Sequence, residues 1–420
     1  NEIISNPLYS SNSEESKGAN RKQKAAQAQR DLLRNMAKEG KNTFSEFYPY
    51  RYFAAEGFLP GYNFTRLPVR AFIPSDEGGE FISRPRFLTL SEFGPQNLIY
   101  HDGNKYRVYQ LMTSDIESRF KRLRIEENTG YALEESAENQ NMSPFTGLKV
   151  ETNHTNIYTH LIPMDDSRTK VVSNINCLEE ERTKQGYEIN TYFTYHGDMN
   201  NISTALIKYN NEELLKIKYL PAATIIKINE RWRSNSEPQN GFKIDTKTGI
   251  YQKENEDTEN TFDVNLKTIK LYTDITADAI YIFPTKALNF RPSKEKDAII
   301  TLQFALKKAI EKYFKIENNE IEVLTMGSLN FPNILIYEAA EGSLGILSQI
   351  SGNKKIFTEL IETATEICHF KDGVDLRPDL KQASYEDLLG YSNQMYHKLI
   401  DRYLIKEQLE VLLNCSVEIV

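Results

Sequence analysis

The strongest periodicity in the chain lies between Asp297 and Leu347. Ile299, Leu302, Leu306, Ile310 and Tyr313 recur at helical spacing, with Lys307, Lys308, Glu311 and Lys312 between them. That pattern predicts an amphipathic helix. Two β-like runs follow, Ile321–Met326 and Ile334–Tyr337, around the turn-like Gly327-Ser328-Leu329-Asn330. Next comes an acidic, glycine-containing turn, Glu338-Ala339-Ala340-Glu341-Gly342-Ser343-Leu344-Gly345, which leads into the apolar Ile346-Leu347. A strand that enters such a turn and then a helix start is a common site layout in α/β domains. Gly342 and Gly345 equally serve a tight turn and close packing.

Upstream, residues 1–20 are polar and read as a tail. Residues 21–37 are rich in helix formers and read as a connecting helix. From Phe44 onward, aromatics and arginines crowd together, and Pro and Gly rule out long helices. The β-like runs are Leu67–Ile73, Arg86–Leu90, Asn97–Tyr100 and Tyr106–Gln110, with His101-Asp102-Gly103-Asn104 as a hairpin turn. Residues 125–165 are acidic and Asn-rich and predict loop with little core. Further strands are expected at Val171–Ile175, Glu188–Tyr195, Thr204–Tyr209, Ala223–Glu230, Leu266–Leu271 and Ala279–Phe283, and a surface hairpin at Lys243–Gln252. Helices are expected over Lys355–Cys368 and from about Ser392 to Leu413. The predicted fold class is mixed α+β and α/β. Residues 1–43 form a linker and connecting helix, and 44–124 a β-rich Arg/aromatic module. Residues 125–261 form a second β region, and 262–420 a C-terminal α/β domain.

Composition narrows the function. With 420 residues, 40% hydrophobic and 26% charged, the chain fits a multidomain globular protein. No run approaches the length of a membrane span, and no signal-peptide pattern is present. Because the chain opens on Asn1 and not Met, a piece of a longer polypeptide and a separate subunit both remain open. The net charge of −8 gives no global pull toward nucleic acid. Three distant cysteines, Cys177, Cys368 and Cys415, argue for a reducing, cytoplasmic compartment. Six histidines show no metal-site spacing. Phosphate-loop, dinucleotide-binding and nucleophile-elbow motifs are missing, so any ATPase lies outside these residues.

The densest candidate nucleic-acid surface is Tyr62–Phe87, where Arg66, Arg70, Arg84 and Arg86 alternate with Tyr62, Phe64, Phe72, Phe81 and Phe87. Arginine forks grip phosphate oxygens and aromatic faces stack bases. The alternative is that the aromatics are core and the arginines pair with Glu56, Glu80 and Glu92. A second basic run, Arg119, Lys121, Arg122 and Arg124, reads as a solvated helix edge. Cys368-His369 reads as a core cysteine beside a turn histidine. Glu338 and Glu341 suit a carboxylate pair for metal or acid–base work, but no second cluster completes such a site. A structural or interface role is therefore favoured over a nuclease.

Several stretches resemble known helicases. Tyr48–Phe64 (YPYRYFAAEGFLPGYNF), Leu67–Pro74 (LPVRAFIP), Arg84–Leu88 (RPRFL) and Ser91–His101 (SEFGPQNLIYH) resemble the region after the motor in large DEAD/DEAH-box helicases. Thr301–Leu306 (TLQFAL), Tyr337–Leu347 (YEAAEGSLGIL), Tyr391–Gln394 (YSNQ), His397 and Asp401-Arg402 are similar to the zinc-binding C-terminal domain of MrfA-type helicases. Related chains occur in anti-phage systems of the DISARM and Druantia kinds. The resemblance covers roughly residues 28–413. It implies the part of a superfamily 2 helicase that follows the two RecA-like lobes, with DNA, the motor domains and defence subunits as partners. ATP and Mg²⁺ would belong to the motor. Asn393, His397 and Arg402 would be interface or structural residues, with Glu338, Glu341, Gly342 and Gly345. The chain departs from the family at its cysteine pairs. Cysteines would be expected near Glu126 and Thr129, at Ser143 and Thr146, and at Ser384 and Asp387, making 125–261 a degenerate zinc-ribbon-like region. Of the C-terminal set only Cys368 remains. Hydroxyls do not hold structural zinc at neutral pH, so the expectation is no zinc, with hydrogen bonds and packing in its place.

Overall fold

The computed structural model describes residues 67–75, 79–113, 115–134, 142–147, 149–150, 154–175, 186–199, 202–233, 240–252, 265–327, 332–339 and 344–420. The fold is mixed and strand-rich, with a β-rich unit and an α/β unit. The described residues up to Phe120, with Ile162–Ile189 and Asn229–Thr273, form the first unit. Lys121–Leu161, Asn190–Ile228 and Asp274–Val420 form the second. Each unit draws on segments from both sides of the sequence boundaries at 124 and 261.

The first unit is built on a five-stranded sheet. Its strands run in the order Glu80–Arg84, Val69–Ile73, Ser167–Asn174, Asn104–Leu111 and Leu98–His101. All neighbours are antiparallel except Val69–Ile73 against Ser167–Asn174. Alternation sets the faces: Val69, Ala71 and Ile73 are buried, while Arg70 and Phe72 are only partly covered. The core adds Leu90, Val108, Leu111, Phe242 and Leu271. The predicted turn His101–Asn104 forms, with Asp102 and Gly103 both at positive φ. The run Arg86–Leu90, expected as a strand, is instead the helix α1 (Arg86–Glu92) behind Pro85. A five-residue apolar run is too short for periodicity to separate helix from strand. Here Asn229 caps the choice, its amide donating to the Leu90 carbonyl at 2.7 Å.

Among the described residues the second unit packs four α-helices on strands. They are α2 (Glu295–Phe314), α3 (Ile346–Gly352), α4 (Lys354–Ile367) and α5 (Lys406–Leu413). The predicted stripe of α2 is the core stripe, with Ile299, Leu302, Leu306 and Ile310 buried against Ile280, Ile282, Ile334 and Ile336. The hairpin Ile321–Met326 with Asn333–Glu338 also forms as expected.

Further expectations are corrected outside the five-stranded sheet. Residues 125–165 are not coreless loop: Lys121–Glu126, Ala132–Glu134 and Thr155–Pro163 are strands. Tyr131, Phe145, Phe193 and Tyr281 pack there with ring centroids 5.0–5.4 Å apart. The basic run Lys121, Arg122 and Arg124 accordingly lies on a strand, not a helix edge. No long helix spans 392–413. The chain makes short 3-10 turns at Tyr391–Tyr396 and Arg402–Leu404 before α5. Asp401 starts the second of these by accepting the Tyr403 N–H at 2.9 Å. Finally, Leu266–Leu271 and Ala279–Phe283 belong to one strand, Leu266–Pro284. Ala223–Glu230 is part of Glu212–Trp232. Just after Pro221, Ala222 takes a positive φ and its N–H reaches Asp278 at 2.8 Å. The strand runs on past this point to Trp232.

Candidate nucleic-acid interface

Directly paired strand residues lie on the same face of a sheet. In the five-stranded sheet Ala71 pairs with Ser167 and Val108 with Thr169, and all four are buried. The other face therefore carries Phe81 beside Phe72, Phe72 beside Arg168, and Lys170 beside Arg107. Arg168, Lys170 and Phe81 are exposed on it. Tyr100, at the far edge, is exposed too. The Lys170 ammonium sits 5.6 Å from the Tyr109 ring centre, and Phe72 meets Phe81 edge-to-face at 5.2 Å.

The electrostatics of this face are unusual. Lys170 stands directly across the ladder from Arg107, and like charges in that position destabilise a sheet. Among the described residues no carboxylate pairs with Arg107, Arg168 or Lys170, and the Arg107 Nε is buried without a hydrogen-bond partner. An anion lying between these groups would turn a repulsion into charge-assisted hydrogen bonds.

The arginines singled out in the sequence fall around this face. Arg70 forks onto Asp166 at 2.7 and 3.1 Å, with its backbone N–H on the same carboxylate at 2.8 Å. Its guanidinium also lies 4.9 Å from the Phe81 ring centre. Burial pushes the Asp166 carboxyl above its ordinary range, against the opposing pull of Arg70. Arg84 pairs with Glu92 at 2.7 Å, a partner the sequence offered, and remains exposed. Arg86 donates to the Leu67 carbonyl at 3.2 Å. Arg66, Tyr62 and Phe64 lie outside the described residues. Arg119 pairs with Asp165 at 2.7 Å. Sequence reasoning missed Arg107, Arg168 and Lys170. The alternation Ser167-Arg168-Thr169-Lys170 was a signal for the last two.

In the second unit Glu338 is buried and accepts the N–H groups of Leu344, Ile346 and Leu347, the last two at 2.9 and 3.2 Å. Its carboxylate thus satisfies donors at the start of α3 that have no partner within the helix. Gly345 turns the chain there at φ +68°. Glu341 and Gly342 lie outside the described residues. Asn393 ties the Gly390 N–H and the Leu388 carbonyl, both at 2.8 Å, and meets the His397 ring nitrogen Nε2 at 3.0 Å. Arg402 is fully buried. It grips both Asp375 oxygens at 2.8 Å and donates to the carbonyls of Cys368, Arg377, Leu380 and Lys381. That hydrogen bonding holds the Asp375 carboxyl well below the usual carboxylate range.

The positions where the resemblance places cysteines do meet in space. The Thr129 hydroxyl donates to Glu126 at 2.9 Å, and the Ser143 hydroxyl accepts the Thr146 N–H at 3.2 Å. Burial raises the Glu126 carboxyl, and the neighbouring Ser143 and Thr129 hydroxyls pull it partly back. The Ser384 hydroxyl donates to Asp387 at 3.0 Å. Burial pushes the Cys368 thiol far up, with Asp387 adding to it, so it is neither a thiolate nor a nucleophile near neutral pH.

No protein-family model and no curated protein matches the chain. Solved structures similar to it include two of one helicase. One is the DUF1998 helicase MrfA bound to DNA, at 11% identity and TM-score 0.42, over 92% of this chain and 39% of MrfA. The other is the same helicase bound to DNA and AMPPNP, at 10% identity and TM-score 0.30, over 89% of this chain and 36% of that one. The chain thus spans well under half the length of these helicases. Among the described residues no helix is long and apolar enough to cross a membrane.

Proposed function

We propose that this chain is the accessory C-terminal portion of an ATP-dependent DNA helicase or translocase of bacterial phage defence or DNA repair. Its part is to guide DNA and to hold partners. The motor, with its ATP and Mg²⁺, acts in cis or in trans. The observation that carries the DNA reading is the Lys170–Arg107 pair, two cations facing each other without a carboxylate among the described residues, beside exposed Arg168 and Phe81. Phosphate oxygens are the ligand that such a face lacks. Arg66, Arg70, Arg84 and Arg86 extend the backbone contacts, and Tyr62 and Phe64 stack or wedge bases. The test compares the parent chain with Arg66→Ala/Arg84→Ala and with Lys170→Gln on labelled DNA over a salt series. Weaker binding and a flatter salt dependence are expected of both. Unchanged affinity and slope in both would remove this surface from the function.

A scaffold that binds a protein partner and not DNA is the second reading. It is favoured by three exposed apolar side chains in the second unit, Tyr385 (68%), Tyr391 (86%) and Met395 (67%), and by the net charge of −8. Pull-down from nuclease-treated extract separates the two. A partner retained without DNA, with no DNA binding by the purified chain, would put the scaffold first.

A further inference from the structure

We propose a divalent transition-metal site where Glu80, His101 and Asp102 meet between the two edge strands of the five-stranded sheet. Glu80 opens the strand Glu80–Arg84 at one edge of that sheet, and His101 ends Leu98–His101 at the other. The two edge strands share no ladder pairing among the described residues, yet their side chains touch. His101 Nε2 lies 2.6 Å from Glu80 Oε1 and 3.6 Å from Asp102 Oδ2. All three ligand atoms fall within 4.8 Å of one another.

The spacing suits an ion. Metal–ligand bonds of about 2.0–2.2 Å hold neighbouring ligand atoms roughly 3–3.5 Å apart. The two His101 separations bracket that range, and the Glu80 and Asp102 oxygens, no more than 4.8 Å apart, come into it by side-chain rotation. Those shifts cost little, because the side chains of Glu80 and Asp102 are 54% and 82% exposed. The ion would take the place of the hydrogen bond that joins His101 Nε2 and Glu80. Two carboxylates and a neutral imidazole balance a dication, and water fills the open positions. The imidazole nitrogen selects Zn²⁺, Cu²⁺ or Ni²⁺ over Ca²⁺ and Mg²⁺. Histidine spacing in the sequence gave no sign of this site, since its ligands come from two edges of a sheet.

A bound ion would clasp the first and last strands together. It would also fix the exposed neighbours Phe81 and Tyr100, which flank the cluster. The inference rests on the geometry of the first unit alone and stands whether or not the chain binds DNA.

The experiment uses the full chain, stripped with chelator and dialysed, then titrated with Zn²⁺ by calorimetry and followed by thermal unfolding. One ion per chain and a higher Tm are expected. His101→Ala should weaken binding at least tenfold and abolish the Tm gain, and Glu80→Gln and Asp102→Asn should each weaken it. Glu80 and Asp102 are exposed and His101 is partly so, so circular dichroism should show the parent fold in each variant. Zn²⁺ binding with unchanged stoichiometry and affinity in His101→Ala would overturn the proposal. So would no binding up to millimolar Zn²⁺, or a thiolate charge-transfer band when Co²⁺ replaces Zn²⁺.

Discussion

Replacing Lys170 with Gln should stabilise the protein while weakening its grip on DNA. Lys170 faces Arg107 directly across the ladder, with no carboxylate from the described residues to shield the pair. A like-charge cross-strand pair costs about 0.2–1 kcal/mol. The glutamine is one atom shorter but keeps a polar tip, and the ammonium–Tyr109 contact it gives up is a long one at 5.6 Å, so loss of the repulsion dominates. The variant should therefore unfold about 1–2 °C higher than the parent in the absence of DNA. Binding should move the other way. Each phosphate contact contributes about 0.9 to the salt slope on duplex DNA and about 0.7 on a single strand. The triple variant Arg107→Gln/Arg168→Gln/Lys170→Gln should then show a duplex slope shallower by about 2.7. Between about 50 and 200 mM salt, the parent would lose about 40-fold more affinity than the triple variant. Fluorescence anisotropy with a labelled oligonucleotide reads the slope, and differential scanning calorimetry reads the stability. An unchanged or lower Tm with unchanged binding and slope would show that this face is ordinary solvated surface.

Arg402→Met should cost about 3–5 kcal/mol in urea unfolding, because it strands the Asp375 carboxylate and four carbonyls; a loss below about 1 kcal/mol would refute that role. The Asp375 carboxyl is held low in the fold, so its stabilisation is complete above the ordinary aspartate pKa and lost as pH falls through the folded value. The Tm gap between the parent and Asp375→Asn should thus be full above about pH 4 and narrow below it; a gap that widens on acidification would contradict the assignment. Glu126 has the opposite sign. Burial raises its folded pKa, so ionisation weakens the fold as pH rises past the unfolded value. Glu126→Gln should therefore raise the Tm at neutral pH, with the advantage fading toward about pH 4; a Tm lowered at pH 7 would oppose this. Elemental analysis of chelator-free His101→Ala should find no structural zinc, and one zinc per chain in that background would show that the hydroxyl and carboxylate clusters at Glu126–Thr146 or Ser384–Asp387 hold metal after all.

The stripe of α2, the hairpin that follows it and the turn at His101–Asn104 were legible in the sequence. Each depends on periodicity or turn chemistry within a few residues, and no distant contact overrides it. The regions misread share another feature. Arg86–Glu92 is short enough for either period, and Asn229 from a far stretch bonds a carbonyl of its last turn. The run after Ser392 looked helical until Arg402 drew its donors to carbonyls of four separate residues. Residues 125–165 seemed coreless because the partners of Tyr131 and Phe145, Phe193 and Tyr281, lie far along the chain.

The candidate sites divide in the same way. Composition and local spacing marked an arginine- and aromatic-rich module, and Arg70, Arg84 and Arg86 were named from it. Which cations lack a carboxylate was decided by tertiary structure. Asp166 and Glu92 engage Arg70 and Arg84, while strand register sets Lys170 against Arg107. The chain by itself determined the period of each element and the kinds of side chain available. Only the pairing of strands determined which charges face each other. Register follows from burying one whole face of a sheet, a property of the assembled strands and not of any single stretch.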